Sequence, residues 1–154
     1  MSRPAPESMP RQARLSQALR ALRRRRGVGA ADLAAALGMP LRSYQHFEAG
    51  RSRLNLDRVH AVARQLDADP YAILAAVDLG SPDLAVRAAD NKLMTIIVMA
   101  LKDFDERLGD RILQLDARIL TTVFERAFNE LATVAEERAA AASRWTVPPR
   151  PPSG

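Results

Sequence analysis

Apolar residues recur every three or four positions through most of this chain, which is the pattern of amphipathic helices. Leu15, Leu19 and Leu22 begin the series, and Gly27 follows them as a helix stop. The same spacing predicts four further helices, over residues 30–37, 41–49, 56–66 and 70–77. Asn55 is the expected N-cap of the third of these, and Asp69 is the expected N-cap of the fourth.

Gly80 is the expected boundary between two units, because Ser81-Pro82 directly after it is a helix-start signal. Two longer helices are predicted beyond it, over 82–107 and 111–142. Residues 93–101 are apolar on every side and rich in β-branched side chains, so a buried strand is the competing prediction for that stretch.

Composition narrows the possible classes of protein. The chain has 154 residues, of which 47% are hydrophobic, enough for one domain or two small ones. It has no cysteine, which excludes disulfides and thiolate metal sites. No signal peptide and no apolar run long enough to span a bilayer is evident, so we expect a cytoplasmic protein without a membrane partner.

Positive charge is concentrated in the N-terminal half. Residues 11–80 carry twelve arginines against six acidic side chains, a net +6, whereas residues 81–154 have a net charge of −1. This segregation fits a module that binds a polyanion joined to a nearly neutral partner module. A solvated basic face produces the same pattern, so charge alone does not decide between them.

The most informative stretch covers residues 30–47. A helix-turn-helix needs a small residue where its two helices cross, a glycine where the chain reverses, and apolar residues on the inner face of the second helix. The chain meets these needs at the right spacing with Ala34, Gly38, Tyr44 and Phe47, and Pro40 is expected to open the second helix.

Residues 15–76 resemble the Cro and lambda-repressor type of helix-turn-helix protein, also called the xenobiotic-response-element (XRE) family of bacterial and phage regulators. The matching segments are Leu22-Arg23, Asp32-Leu33-Ala34, Leu37-Gly38, residues 43–51, and the series Leu56, Val59, Val62, Leu66 and Leu74.

The resemblance implies an all-α fold, with a five-helix lambda-repressor-like DNA-binding domain followed by a two-helix C-terminal dimerisation region. We expect a flexible arm over 1–12, the helix-turn-helix domain over 13–80, a helical oligomerisation domain over 81–145 and a disordered Pro-rich tail over 146–154.

The second helix of the motif lies in the DNA major groove in this family, with its N-terminal residues against base edges. Carried over by position, base contacts are expected from Leu41, Arg42, Gln45 and His46. Arg42 is the first choice, because a guanidinium can form two hydrogen bonds with one guanine.

The resemblance also implies contacts with the DNA backbone from Ser43, Arg51 and Arg53, which fix register rather than read sequence. Arg23 and Glu48 occupy positions that form a structural ion pair between the first helix and the recognition helix.

Some positions depart from the family pattern. Ala30 stands where many members have a glutamine that binds phosphate, and Ala49 replaces another frequent polar contact. These departures put the usual phosphate clamp in doubt, although the arginines at 23–26 are available to compensate. They also support the alternative that the chain is a protein-interaction adaptor that has kept the helix-turn-helix fold but no longer binds DNA.

The apolar faces of the two C-terminal helices are too broad to cover each other. A second copy of the chain is the expected partner, because two-fold dimers are common and operators in this family are near-palindromic. Packing back onto the N-terminal domain is the alternative. The expected interface residues are Ile97, Leu101, Phe104, Leu120, Val123, Phe124, Phe128 and Leu131.

The sequence therefore predicts a sequence-specific double-stranded DNA-binding regulator, a nucleoid-associated repressor that binds its operator as a homodimer. The alternative is an antitoxin-like or adaptor protein whose C-terminal helices bind another protein. Catalysis is not expected, because His46 and His60 lack the carboxylate grouping of a metal site and no phosphate loop or nucleophile motif is present. We expect no cofactor and no metal.

Overall fold

The computed structural model describes residues 9–145, and within this range every regular element is helical, so residues 93–101 form helix rather than the competing strand. The expected arm and tail lie largely outside the described residues. The helices are α1 (Arg11–Arg25), α2 (Ala30–Ala36), α3 (Leu41–Glu48), α4 (Leu56–Gln65), α5 (Pro70–Leu79), α6 (Asp83–Arg87), α7 (Leu93–Leu108) and α8 (Ala117–Trp145), with a 3₁₀ helix at Gly109–Gln114.

The chain divides into two compact units, of which the first ends at Phe104 and the second begins at Asp105. In the first unit α1 is central and packs against α3, α5 and α6. Its buried face is the predicted leucine series, each member at most 2% exposed, and the core around it includes Leu33, Tyr44, Phe47, Val59, Val62 and Ile73.

Packing contacts within the first unit continue past Gly80. Helix α6 packs on α1 and α5, and Ala85, Ala88 and Ala89 are buried. The single helix expected over 82–107 is two helices, because Lys92 has a left-handed φ of 55° and interrupts the helical backbone. The Asn91 side chain then accepts a hydrogen bond of 3.0 Å from the backbone N–H of Leu93 at the start of α7.

Asp69 joins α5 to α7. Its carboxylate is fully buried and accepts hydrogen bonds from the backbone N–H groups of Tyr71 and Ala72 at 3.1 and 3.2 Å. It also accepts from the N–H groups of Met94 and Thr95 at 2.8 and 3.0 Å, and from the Thr95 hydroxyl at 2.8 Å. One carboxylate therefore caps the N-termini of two helices that are distant in sequence.

Helix α1 begins at Arg11, inside the segment expected to be a flexible arm. Arg11 forms an ion pair with Asp78 of α5, which ties this end of α1 to the unit. A side chain at Gly50, whose φ is 70°, would collide with the backbone of Gln12. The first turn of α1 is therefore packed against the chain that follows α3.

The second unit consists of the end of α7, the 3₁₀ helix and α8. The long helix expected over 111–142 begins at Ala117 instead, because the Asp116 side chain caps it by accepting a 2.9 Å hydrogen bond from Ile119 N–H. None of the 29 residues of α8, all of them described, is buried. The large apolar side chains of its face are between 46% and 56% exposed: Ile119, Val123, Phe124, Phe128, Leu131 and Val134.

Candidate nucleic-acid interface

The turn between α2 and α3 is held by backbone hydrogen bonds that end α2. The N–H of Gly38 donates to Ala35 at 3.0 Å, and the N–H of Met39 donates to Ala34 at 3.0 Å. Gly38 has a φ of 63°, which glycine adopts without a steric penalty. Pro40, which was expected to open this helix, occupies the N-cap position one residue before α3. Its ψ is 140°.

Helix α3 has a buried face and an exposed face. Tyr44, Phe47 and Glu48 are buried, and the Phe47 ring also lies 5.9 Å from the Arg58 guanidinium. All five side chains assigned to DNA from this helix are exposed: Leu41, Arg42, Ser43, Gln45 and His46. The polar surface of α3 is therefore available to a ligand, and its apolar surface is fixed in the core.

An ion pair between Arg23 and Glu48 locks α3 onto α1. Arg23 donates to the Glu48 carboxylate through Nε at 2.9 Å and Nη2 at 2.8 Å, a two-bond geometry, and through Nη1 to the Val28 carbonyl at 3.1 Å. Because α3 is only eight residues long, this buried link helps to fix the orientation of its outer face.

The contacts within and around this ion pair shift the pKa values of Arg23, Glu48 and Tyr44. The hydrogen bond to Glu48 raises the pKa of Arg23 above its usual value. Burial alone would raise the pKa of Glu48, but the hydrogen bonds and charge of Arg23, with a smaller contribution from Arg20, hold it below its usual value. Burial and the nearby Glu48 charge raise the pKa of Tyr44. Glu48 is therefore a buried carboxylate that stays charged because of its arginine neighbours.

A concave pocket of about 490 Å³, here called the basic groove, lies beside this pair. It brings together Arg42, Gln45 and His46 of α3 with Arg51, whereas Leu41, Ser43 and Arg53 do not line it. The other lining residues are Arg20, Arg23, Ala30, Glu48 and Ala49. Four arginines against one glutamate give the groove a net charge of +3 with histidine neutral.

Arg51 and Arg53 follow the close contact at Gly50 and are exposed. The backbone N–H of Arg51 donates to the His46 carbonyl at 3.1 Å, so the basic loop begins as a continuation of the last turn of α3. Both arginines are held near the exposed face of α3 without a charged partner among the ion pairs of the described residues.

Two residues have roles in the structure that the sequence did not indicate. Arg20 lines the basic groove, and its Nε lies 3.7 Å from Glu48 Oε1. Its position three residues before Arg23 on one helix was the available signal, because such residues share a face. Asp69 was expected only as a cap of α5, and its second role at α7 depends on a contact between residues about 25 positions apart.

The residues assigned to a dimer interface lie on α7 and α8. On α7, Ile97 and Phe104 are half-buried and Leu101 is 59% exposed. On α8, Leu120 is half-buried and the other four are exposed: Val123, Phe124, Phe128 and Leu131. Five of these eight side chains are therefore exposed, and three are half-buried.

The described residues contain no group of three His, Cys, Asp or Glu that could hold a metal ion. His60 instead packs edge-on against the Tyr71 ring, with 5.3 Å between the ring centroids. Among helices of residues 9–145, none is long and apolar enough to cross a membrane.

A known family model matches the N-terminal part of the chain. Residues 14–73 match a family model described as a helix-turn-helix domain. This match covers most of α1, the whole of α2 to α4 and the start of α5, and therefore includes the basic groove. No curated protein and no solved structure matches the chain. A helix-turn-helix domain indicates a DNA-binding regulator.

Proposed function

We propose that this protein is a sequence-specific regulator that binds double-stranded DNA and represses transcription by covering a near-palindromic operator as a homodimer, in the manner of the Cro and lambda-repressor type. The observation that carries the proposal is the exposed polar face of α3 beside a groove of net charge +3, inside a matched helix-turn-helix domain. Such a face supplies both groove-reading side chains and attraction to phosphate.

In this proposal α3 enters the major groove. Arg42 and Gln45 are the main readers of base edges, since their forked groups match guanine and adenine. Leu41 packs on a thymine methyl, and His46 also contacts a base. Ser43, Arg51 and Arg53 bind the phosphate backbone. The Arg23–Glu48 pair keeps α3 at a fixed angle and does not itself read DNA.

The dimer in this proposal forms through α7 and α8. A helix whose apolar side chains are each about half exposed to water has marginal stability. A second copy of the chain would bury that apolar surface. Two-fold pairing would also present two α3 helices to two half-sites, which a near-palindromic operator requires.

The proposal is tested by measuring binding to the DNA upstream of the protein's own reading frame across a series of salt concentrations. We expect Arg42→Ala to relax preference at one base position, with a cost of about 1–3 kcal/mol on the preferred sequence. Arg51→Ala should weaken binding to all sequences alike. Equal effects of both variants on every sequence would contradict these roles, and absence of salt-dependent binding would contradict the function.

A second candidate is an antitoxin-like or adaptor protein whose C-terminal helices bind another protein. Ala30 and Ala49 favour it, because two positions lining the basic groove have no polar group for a phosphate. The uncovered face of α8 would then belong to a different partner. Such a protein would bind duplex DNA weakly and without sequence preference, so the same titration distinguishes the two candidates.

A further inference from the structure

Arg20 lines the basic groove and lies farther from the Glu48 carboxylate than Arg23 does. Arg23 uses Nε and Nη2 on the Glu48 carboxylate at 2.9 and 2.8 Å, so this carboxylate is already neutralised by a guanidinium. Arg20 reaches the same carboxylate only at 3.7 Å, beyond hydrogen-bond length. The Arg20 side chain is 47% exposed, against 17% for Arg23.

The surroundings of Arg20 favour an anion from outside. Its groove also holds Arg42 and Arg51, and the only acidic side chain lining it is the already paired Glu48. The walls at Ala30 and Ala49 offer no competing side-chain donor or acceptor. A phosphate of a DNA strand beside α3 would thus accept hydrogen bonds from Arg20 of α1. In the proposed function Arg42 faces the bases.

We propose that Arg20 is a DNA phosphate contact, which α1 supplies to the groove beside the recognition helix. This inference rests on the proposed DNA-binding function and extends it to a residue outside the helix-turn-helix pair. Because a phosphate contact carries no sequence information, Arg20 contributes to affinity and salt dependence equally on all DNA sequences.

The test compares Arg20→Gln with Arg25→Gln, a matched control on the same helix. Arg25 is also exposed, but it does not line the basic groove and its charge acts on Asp90 instead. Binding is measured by fluorescence anisotropy over a salt series, on the upstream fragment and on a random-sequence duplex. For each protomer bound, we expect Arg20→Gln to weaken both complexes by about tenfold and to reduce the salt slope by about 0.9.

Arg25→Gln should change affinity by less than about twofold, since a distant exposed charge is screened. Arg20→Lys keeps the charge and should retain the wild-type salt slope. If Arg20→Gln behaves like Arg25→Gln while the wild type binds, the inference is wrong and the proposed function stands. Equal losses for Arg20→Gln and Arg20→Lys, or a loss confined to the upstream fragment, also overturn it. A wild-type protein that binds neither duplex refutes the function itself.

Discussion

The two units carry similar amphipathic patterns but bury them to very different extents. In the first unit the leucines of α1 are at most 2% exposed, whereas no residue of α8 is buried. Helical periodicity therefore predicts that a segment is helical and which face is apolar, but not whether the chain itself covers that face. The first unit buries the apolar face of α1 itself. The apolar face of α8 is exposed, and in our proposal a second copy of the chain covers it.

The largest effect expected from this contrast is on the stability of truncated chains. A chain ending at Phe104 keeps α6 and the first turns of α7, so it should unfold cooperatively as a monomer. A chain ending at Gly80 loses the buried Ala85 and Ala89 and the α7 donors to Asp69. We expect it to be less stable by about 4 kcal/mol or more, most of the stability of a small domain.

Urea unfolding followed by circular dichroism measures this difference, and sedimentation equilibrium reports the oligomeric state of each chain. Equal stabilities of the two chains would support the boundary expected at Gly80. A dimeric chain ending at Phe104 would show that the interface does not require α8.

Two helix caps give the next largest effect. We expect Asp69→Ala to lower the free energy of unfolding by about 3–5 kcal/mol, because five buried or part-buried donors lose their acceptor. Asn55→Ala is the control, since Asn55 is exposed and accepts one bond, from Arg58 N–H at 3.0 Å. That change should cost about 1 kcal/mol. Similar losses for both variants in urea unfolding would show that Asp69 caps α5 alone.

The local features of the first unit could be predicted from the sequence. Leucine spacing indicated α1, the small residue, glycine and aromatic positions indicated α2 and α3, and the cap signals at Asn55 and Asp69 marked α4 and α5. These features depend on neighbours a few residues apart, which is the range that periodicity and capping describe. The residues expected on the exposed face of α3 came instead from the family resemblance.

The features that were not predicted depend on contacts between distant residues. Lys92 breaks the helix although it is a good helix former; its Nζ binds the Asp67 carbonyl at 2.7 Å, across the fold. The small side chains of Ala85, Ala88 and Ala89 are too weakly apolar to mark core positions in the sequence. Arg20 stands among many arginines, and only its distance from Glu48 and its place in the groove distinguish it.

A charge on the uncovered face of α8 should give a smaller change that is confined to assembly. We expect Phe128→Asp to weaken dimerisation by about 2–4 kcal/mol, since a half-exposed aromatic side chain at the centre of the face would be replaced by a buried carboxylate in the dimer. Leu113→Asp is the control, because Leu113 is 82% exposed and lies outside α8. Sedimentation equilibrium measures both. A wild-type dimerisation constant for Phe128→Asp would exclude this face as the interface.

The smallest effect concerns the pH dependence of the first unit. The pKa of Glu48 is held below its ordinary value, so its contribution to stability is complete above that ordinary value and is lost as pH falls through the lower folded pKa. We expect Glu48→Gln to be less stable by about 1–2 kcal/mol at neutral pH, with a gap that narrows in acid as the wild type protonates. Urea unfolding of both proteins over the acid range measures the gap. Glu125→Gln, on the exposed surface of α8, should change stability by less than about 0.5 kcal/mol. A gap that stays constant through the acid range would mean that the Glu48 charge does not stabilise the fold.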